Sequence, residues 1–73
     1  MSKLPKNPDP IHPKEFRRKY NFSVYQMHRL SGIPIETLKH YLADQDTRKY
    51  VEPKPNICLH FGEIAARLNN QNL

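Results

Sequence analysis

The sequence predicts an all-α fold, a small four-helix domain around one core. Three observations carry this. Apolar residues recur at helical spacing in separate stretches along the chain. Residues that start or stop helices bound those stretches, among them Pro13, Ser23 and Gly32. No stretch shows the sustained alternation of apolar and polar residues that marks a half-buried strand.

The first helix is expected from Pro13 to Tyr20. Pro13 suits a first turn, where a missing N–H costs nothing, and Phe16 and Tyr20 lie one turn apart on one face. A second helix is expected from Val24 to Ser31. Ser23 is a good N-cap and Gln26 stands three residues on, as a capping box requires. Val24, Met27 and Leu30 form its apolar positions, and Gly32 fits the left-handed residue that ends it. A third helix runs from Ile35 to about Ala43, with Leu38, Tyr41 and Leu42 inward. Asp44 to Lys54 reads as a polar loop. A last helix from about Asn56 to Asn69 carries Ile57, Phe61, Ile64, Ala65 and Leu68 on one face. Residues 70–73 read as a frayed tail. Residues 1–12, rich in proline and basic side chains, read as an extended, flexible arm.

A chain of 73 residues holds one small domain. At this size only roughly 60% of the unfolded surface is buried, so stability is marginal without help. Cys58 is the single cysteine, which excludes an internal disulfide. A compact helical core completed by a dimer contact is the remaining expectation. The chain has no apolar run long enough to span a membrane and no signal-peptide core. With one thiol and no export signal, the expected compartment is the cytosol.

The net charge is +5, and the excess sits in the first third. Lys3, Lys6, Lys14, Arg17, Arg18 and Lys19 there face only Asp9 and Glu15. Such a segment suits a polyanion, because Lys and Arg displace condensed counterions from phosphates. It equally suits a face kept basic for solubility. His12, His28, His40, His60 and Cys58 lack the close ligand pairs of a structural zinc site, so no metal is expected. No nucleophile–base arrangement and no glycine-rich phosphate loop is apparent, so neither catalysis nor a cofactor is expected. His28 reads as a partly buried structural histidine, and Cys58 as a small hydrophobe.

Two short helices joined by a tight glycine turn make a helix-turn-helix arrangement. The stretch from Met27 to Leu42 resembles the lambda-repressor-like (XRE-type) family, through Met27, Ser31, Gly32, Ile33, Thr37, Leu38 and Tyr41. Gly32 permits the turn, Ile33 plugs the gap between the helices, and Leu38 and Tyr41 hold the second helix on the first. The likeness extends weakly over residues 13–69. It departs at His28, where the family usually has alanine, at Pro34, where it usually has a serine-like cap, and in lacking a fifth helix.

The resemblance implies sequence-specific double-stranded DNA binding by a transcriptional regulator of repressor type. The second helix of the pair would lie in the major groove. Ile35, Glu36, Lys39 and His40 are then the expected base contacts: Lys39 to guanine, Glu36 to cytosine, Ile35 to a thymine methyl. Ser23, Tyr25, Gln26, Thr37, Arg48 and Lys49 are the expected phosphate contacts. A homodimer is expected, because one recognition helix reads only a few base pairs. The exposed part of the last helix is its expected surface. The alternative is a small protein-interaction module, an adaptor or anti-repressor, using the same helices. A third reading, RNA binding by the arm and aromatics, is weaker because the aromatics fall at core positions.

Overall fold

A computed structural model of the chain describes residues 9–71, and residues 1–8 and 72–73 lie outside the description. Four helices follow one another: α1 (Pro13–Tyr20), α2 (Val24–Ser31), α3 (Ile35–Leu42) and α4 (Pro55–Gln71). There is no strand among the described residues. Both α1 and α2 pack against both α3 and α4. Among the described residues no helix is long and apolar enough to cross a membrane.

The first three helices are set by local hydrogen bonds. His12 caps α1, its Nδ1 accepting from the Lys14 amide at 3.0 Å, and Pro13 takes the first helical position. Asn21 ends α1 at φ 57°, a left-handed conformation that asparagine tolerates better than most residues. Ser23 and Gln26 form the reciprocal capping box at the start of α2. Gly32 ends α2 at φ 77°, its amide donating to the His28 carbonyl at 2.9 Å. Helix α3 stops at Leu42, one residue short of expectation. Helix α4 begins at Pro55, because proline loses nothing at a first helical position. It continues through Asn70 to Gln71, so the first half of the expected frayed tail is helical.

Each helix contributes a fully buried apolar side chain to the centre, Phe16, Met27, Leu38 and Phe61, and α1 buries Pro13 as well. Ile33, Tyr41, Ile64 and Ala65 complete the buried cluster. The Phe16 ring lies 5.0 Å from those of Phe61 and Tyr20, both tilted, an arrangement that aromatic quadrupoles favour. The Tyr20 hydroxyl donates to Asn69 Oδ1 at 3.1 Å and fastens the end of α1 to α4. Leu30 departs from the expected inward stripe and is 40% exposed. The inner face of α2 is Val24, Met27, His28 and Ser31, at helical spacing, and Leu30 falls on its flank.

Two segments expected to be irregular are tied down. Residues 9–12 do not extend freely from α1 but dock on α4. The Ile11 amide donates to the Cys58 carbonyl at 3.0 Å, and the Ile11 side chain packs against the core. Gly62 makes this possible, since a Cβ there would overlap the Asp9 carbonyl oxygen. The remainder of the expected arm, residues 1–8, lies outside the described residues. The loop from Asp44 is equally anchored. The Thr47 amide and hydroxyl both donate to the Asp44 carbonyl, and Pro53 is buried. The Tyr50 hydroxyl meets His12 Nε2 at 2.9 Å and donates to Glu52 at 2.7 Å. That bond to Glu52, which favours the neutral phenol, raises the Tyr50 pKa above the ordinary value.

Gly62→Ala is expected to release residues 9–11 from α4. Alanine favours the helix by about 1 kcal/mol, but the added methyl meets backbone rather than a yielding side chain. Amide exchange at Ile11 should quicken to the rate of an open chain, and the net stability should fall by about 1 kcal/mol, roughly the worth of the lost hydrogen bond and packing less the helix gain. Unchanged Ile11 protection would place the N-terminal segment elsewhere.

Candidate nucleic-acid interface

The turn between α2 and α3 is held by side chains from both its own helix and α4. The Ser31 hydroxyl donates to the Met27 carbonyl at 2.7 Å and accepts from the Ile33 amide at 3.1 Å. His28 Nδ1–H donates to the Ile33 carbonyl at 2.8 Å. His60, on α4, donates through Nε2 to the Ser31 carbonyl at 2.9 Å. Polar backbone atoms of the turn are thereby satisfied while Ile33 enters the core. His28 is the half-buried structural histidine that the sequence suggests. Its ring bonds to the carbonyl beyond the glycine, which accounts for a histidine at this close approach.

The turn presents α3 with one face buried and one outward. Leu38 and Tyr41 are buried and Leu42 is half-buried, as expected. Glu36, Lys39 and His40 are exposed. Ile35 and Thr37 are half-buried at the margins, so Ile35 stands less free than a base-reading residue was expected to be. Pro34 precedes the helix at φ −57° with no side-chain hydrogen bond to the first turn. Glu36 offsets the positive end of the helix there.

His40 is exposed as expected, and its ring also bonds to the loop. Its Nδ1–H donates to the Lys49 carbonyl at 2.8 Å, and its own carbonyl accepts from the Val51 amide at 3.1 Å. One ring nitrogen is thus committed to the loop. The same two bonds bring the exposed residues Arg48 and Lys49 to the C-terminal end of α3.

At the start of α2, Ser23 and Gln26 are partly spent on each other. The Gln26 amide donates to Ser23 Oγ at 3.1 Å, and Gln26 Oε1 accepts from the Ser23 amide at 2.8 Å. The hydroxyl hydrogen of Ser23 and the amide nitrogen of Gln26 remain as donors. Tyr25 is 57% exposed, and its hydroxyl accepts from Arg29 at 3.2 Å. The guanidinium also lies 5.9 Å from the Tyr25 ring centroid. Arg29 was missing from the candidates. Its signal was the four-residue spacing from Tyr25, which places both on one helix face. No hydrogen bond or ion pair among the described residues joins this group to the outward residues of α3.

Charge is distributed differently from its order in the chain. Lys14 pairs with Asp44 at 3.5 Å and Arg18 with Glu15, so part of the basic first third is neutralised. Arg29, Lys39, Arg48 and Lys49 have no carboxylate within ion-pair distance among the described residues. Arg17 and Lys19 on α1 are likewise exposed and without a carboxylate partner among the described residues, so available cations stand on α1 as well as around α2 and α3. An open groove of about 540 Å³ lies where α1 meets the end of α3, with Lys14, Arg17 and Arg18 on its walls and Phe22 and Leu42 among its apolar lining. Cys58 is half-buried, and burial, with the nearby Glu52 charge, pushes its thiol pKa up. No family model, curated protein or solved structure matches the chain.

Proposed function

We propose that this chain is a sequence-specific double-stranded DNA-binding domain, a helix-turn-helix of lambda-repressor-like type, with α3 as recognition helix. It would act as a transcriptional regulator of repressor type, in the cytosol and as a homodimer. The role is one of binding, not catalysis. The observation that carries the reading is the fixed presentation of α3. A turn tied by Ser31, His28 and His60 holds a helix whose outward side chains include Glu36 and Lys39, the latter without an ion-pair partner among the described residues, and whose end meets Arg48 and Lys49. A rigid helix with a few free polar side chains suits base edges, and flanking cations suit phosphates. Tyr25 and Arg29 add a second polar group on the preceding helix.

Selection of bound sequences from a random duplex pool tests this. A single enriched site is expected, palindromic for a two-fold dimer, with affinity falling steeply as salt rises. Lys39→Ala should relax base preference at one position by about 1–3 kcal/mol. Because Lys39 is exposed, the melting transition should stay within about 0.5 kcal/mol of the parent. No enrichment, or binding indifferent to salt, would overturn the reading.

The protein-partner alternative is favoured by one observation, the groove between α1 and α3 with its basic walls and apolar patch. Arg17→Ala would weaken such a partner and leave duplex selection unchanged.

A further inference from the structure

The outward face of α3 ends at His40, and this residue bonds to the loop twice. Its Nδ1–H reaches the Lys49 carbonyl at 2.8 Å, and its carbonyl receives the Val51 amide at 3.1 Å. Among the described residues no other hydrogen bond joins residues 48–51 to α3. The remaining anchor of this stretch is Tyr50, which binds His12 at the cap of α1. Arg48 and Lys49 are exposed and, among the described residues, have no carboxylate partner within ion-pair distance. Their backbone is therefore braced while their charges remain available.

We propose that His40 is a positioning residue, not a reader of bases: it braces Arg48 and Lys49 beside the end of α3, so that both meet the phosphate backbone. This rests on the DNA-binding reading above. The physical reason is the cost of ordering. A loop that must be immobilised on each encounter loses affinity, whereas one already fixed to the recognition helix does not. Histidine suits the position because its Nδ1 lies close to its own backbone and reaches a neighbouring carbonyl without a long, mobile chain.

Two substitutions separate donor from shape. His40→Phe keeps a ring and removes the N–H. His40→Asn places an amide nitrogen where Nδ1 stood. In His40→Phe the slope of binding against salt should become shallower by about one to two counterions, since each phosphate contact contributes roughly 0.9 to it. Affinity should drop several-fold at low salt while the selected site stays the same. In the free protein, exchange of the Val51 amide should quicken about tenfold. His40→Asn should restore all three properties.

A His40→Phe variant that selects a different site with an unaltered salt slope would make His40 a base contact and overturn the proposal. Val51 exchange equal to the parent's in His40→Phe would overturn it too, whether or not DNA binds. A parent chain that binds no duplex sinks the DNA-binding reading, and the phosphate role of His40 with it, even where Val51 responds.

Discussion

Phe16→Ala is expected to leave most of the chain unfolded at 25 °C. Phe16 is fully buried, and its ring touches aromatic partners on both sides, Phe61 and Phe22 among them. Truncating a buried phenylalanine costs about 3–5 kcal/mol, in lost transfer energy and in the cavity left behind. A core of this size rarely supplies more than about 3–5 kcal/mol in total. The loss is therefore comparable with the whole stability of the domain. The cavity cannot close easily, because Phe16 is the contribution of α1 to a centre shared with α2, α3 and α4. Circular dichroism against temperature checks this. A cooperative melt within a few degrees of the parent would show that Phe16 does not stand at the centre. Phe16→Leu should retain the fold with a lowered midpoint.

Gly32→Val is the second large effect, at about 3 kcal/mol, the upper end of the cost of a strained backbone residue. Gly32 holds φ 77°, and a β-branched residue is a poor occupant of that region. Nothing stands within 4 Å of where a Cβ would lie, so the cost is conformational and not steric crowding by neighbours. That makes a graded series informative. Gly32→Asn should cost least, because asparagine visits the left-handed region, and Gly32→Ala should fall between at about 1–2 kcal/mol. Urea midpoints would give the order. A valine variant as stable as the asparagine one would mean that the turn does not need positive φ. If the proposed DNA-binding reading holds, duplex affinity should fall by more than the fold's stability does, because Gly32 sets how α3 leaves α2 and so where Glu36 and Lys39 point.

The histidines illustrate what residue type alone conceals. In the sequence they stand far apart and suggest at most a weak metal site. In the fold each takes a local or tertiary hydrogen bond. His12 caps α1, His28 and His60 bind the turn carbonyls, and His40 binds the loop. Only the structural role of His28 is legible in the sequence; the bonds of His12, His40 and His60 leave no periodicity to read. The charge tells the same story. Lys14 and Arg18 count toward a basic first third, yet both find carboxylates.

What was legible from residues alone is what short-range physics controls. The bounds of α1 and α2, the capping box of Ser23 and Gln26, the left-handed Gly32 and the inward Leu38 and Tyr41 all follow from interactions between residues a few positions apart. The tertiary structure decided the rest. It turned Leu30 outward, docked residues 9–12 across Gly62, fixed the loop through Tyr50 and His40, and drew His60 onto the turn. Each of these joins elements whose proximity depends on how the helices pack. A backbone carbonyl records nothing in the sequence about the side chain that will reach it. A glycine within a helix does not announce which segment will cross it. Local caps and periodicity therefore determined the helices of this protein, whereas packing determined which of its polar side chains remain free to bind.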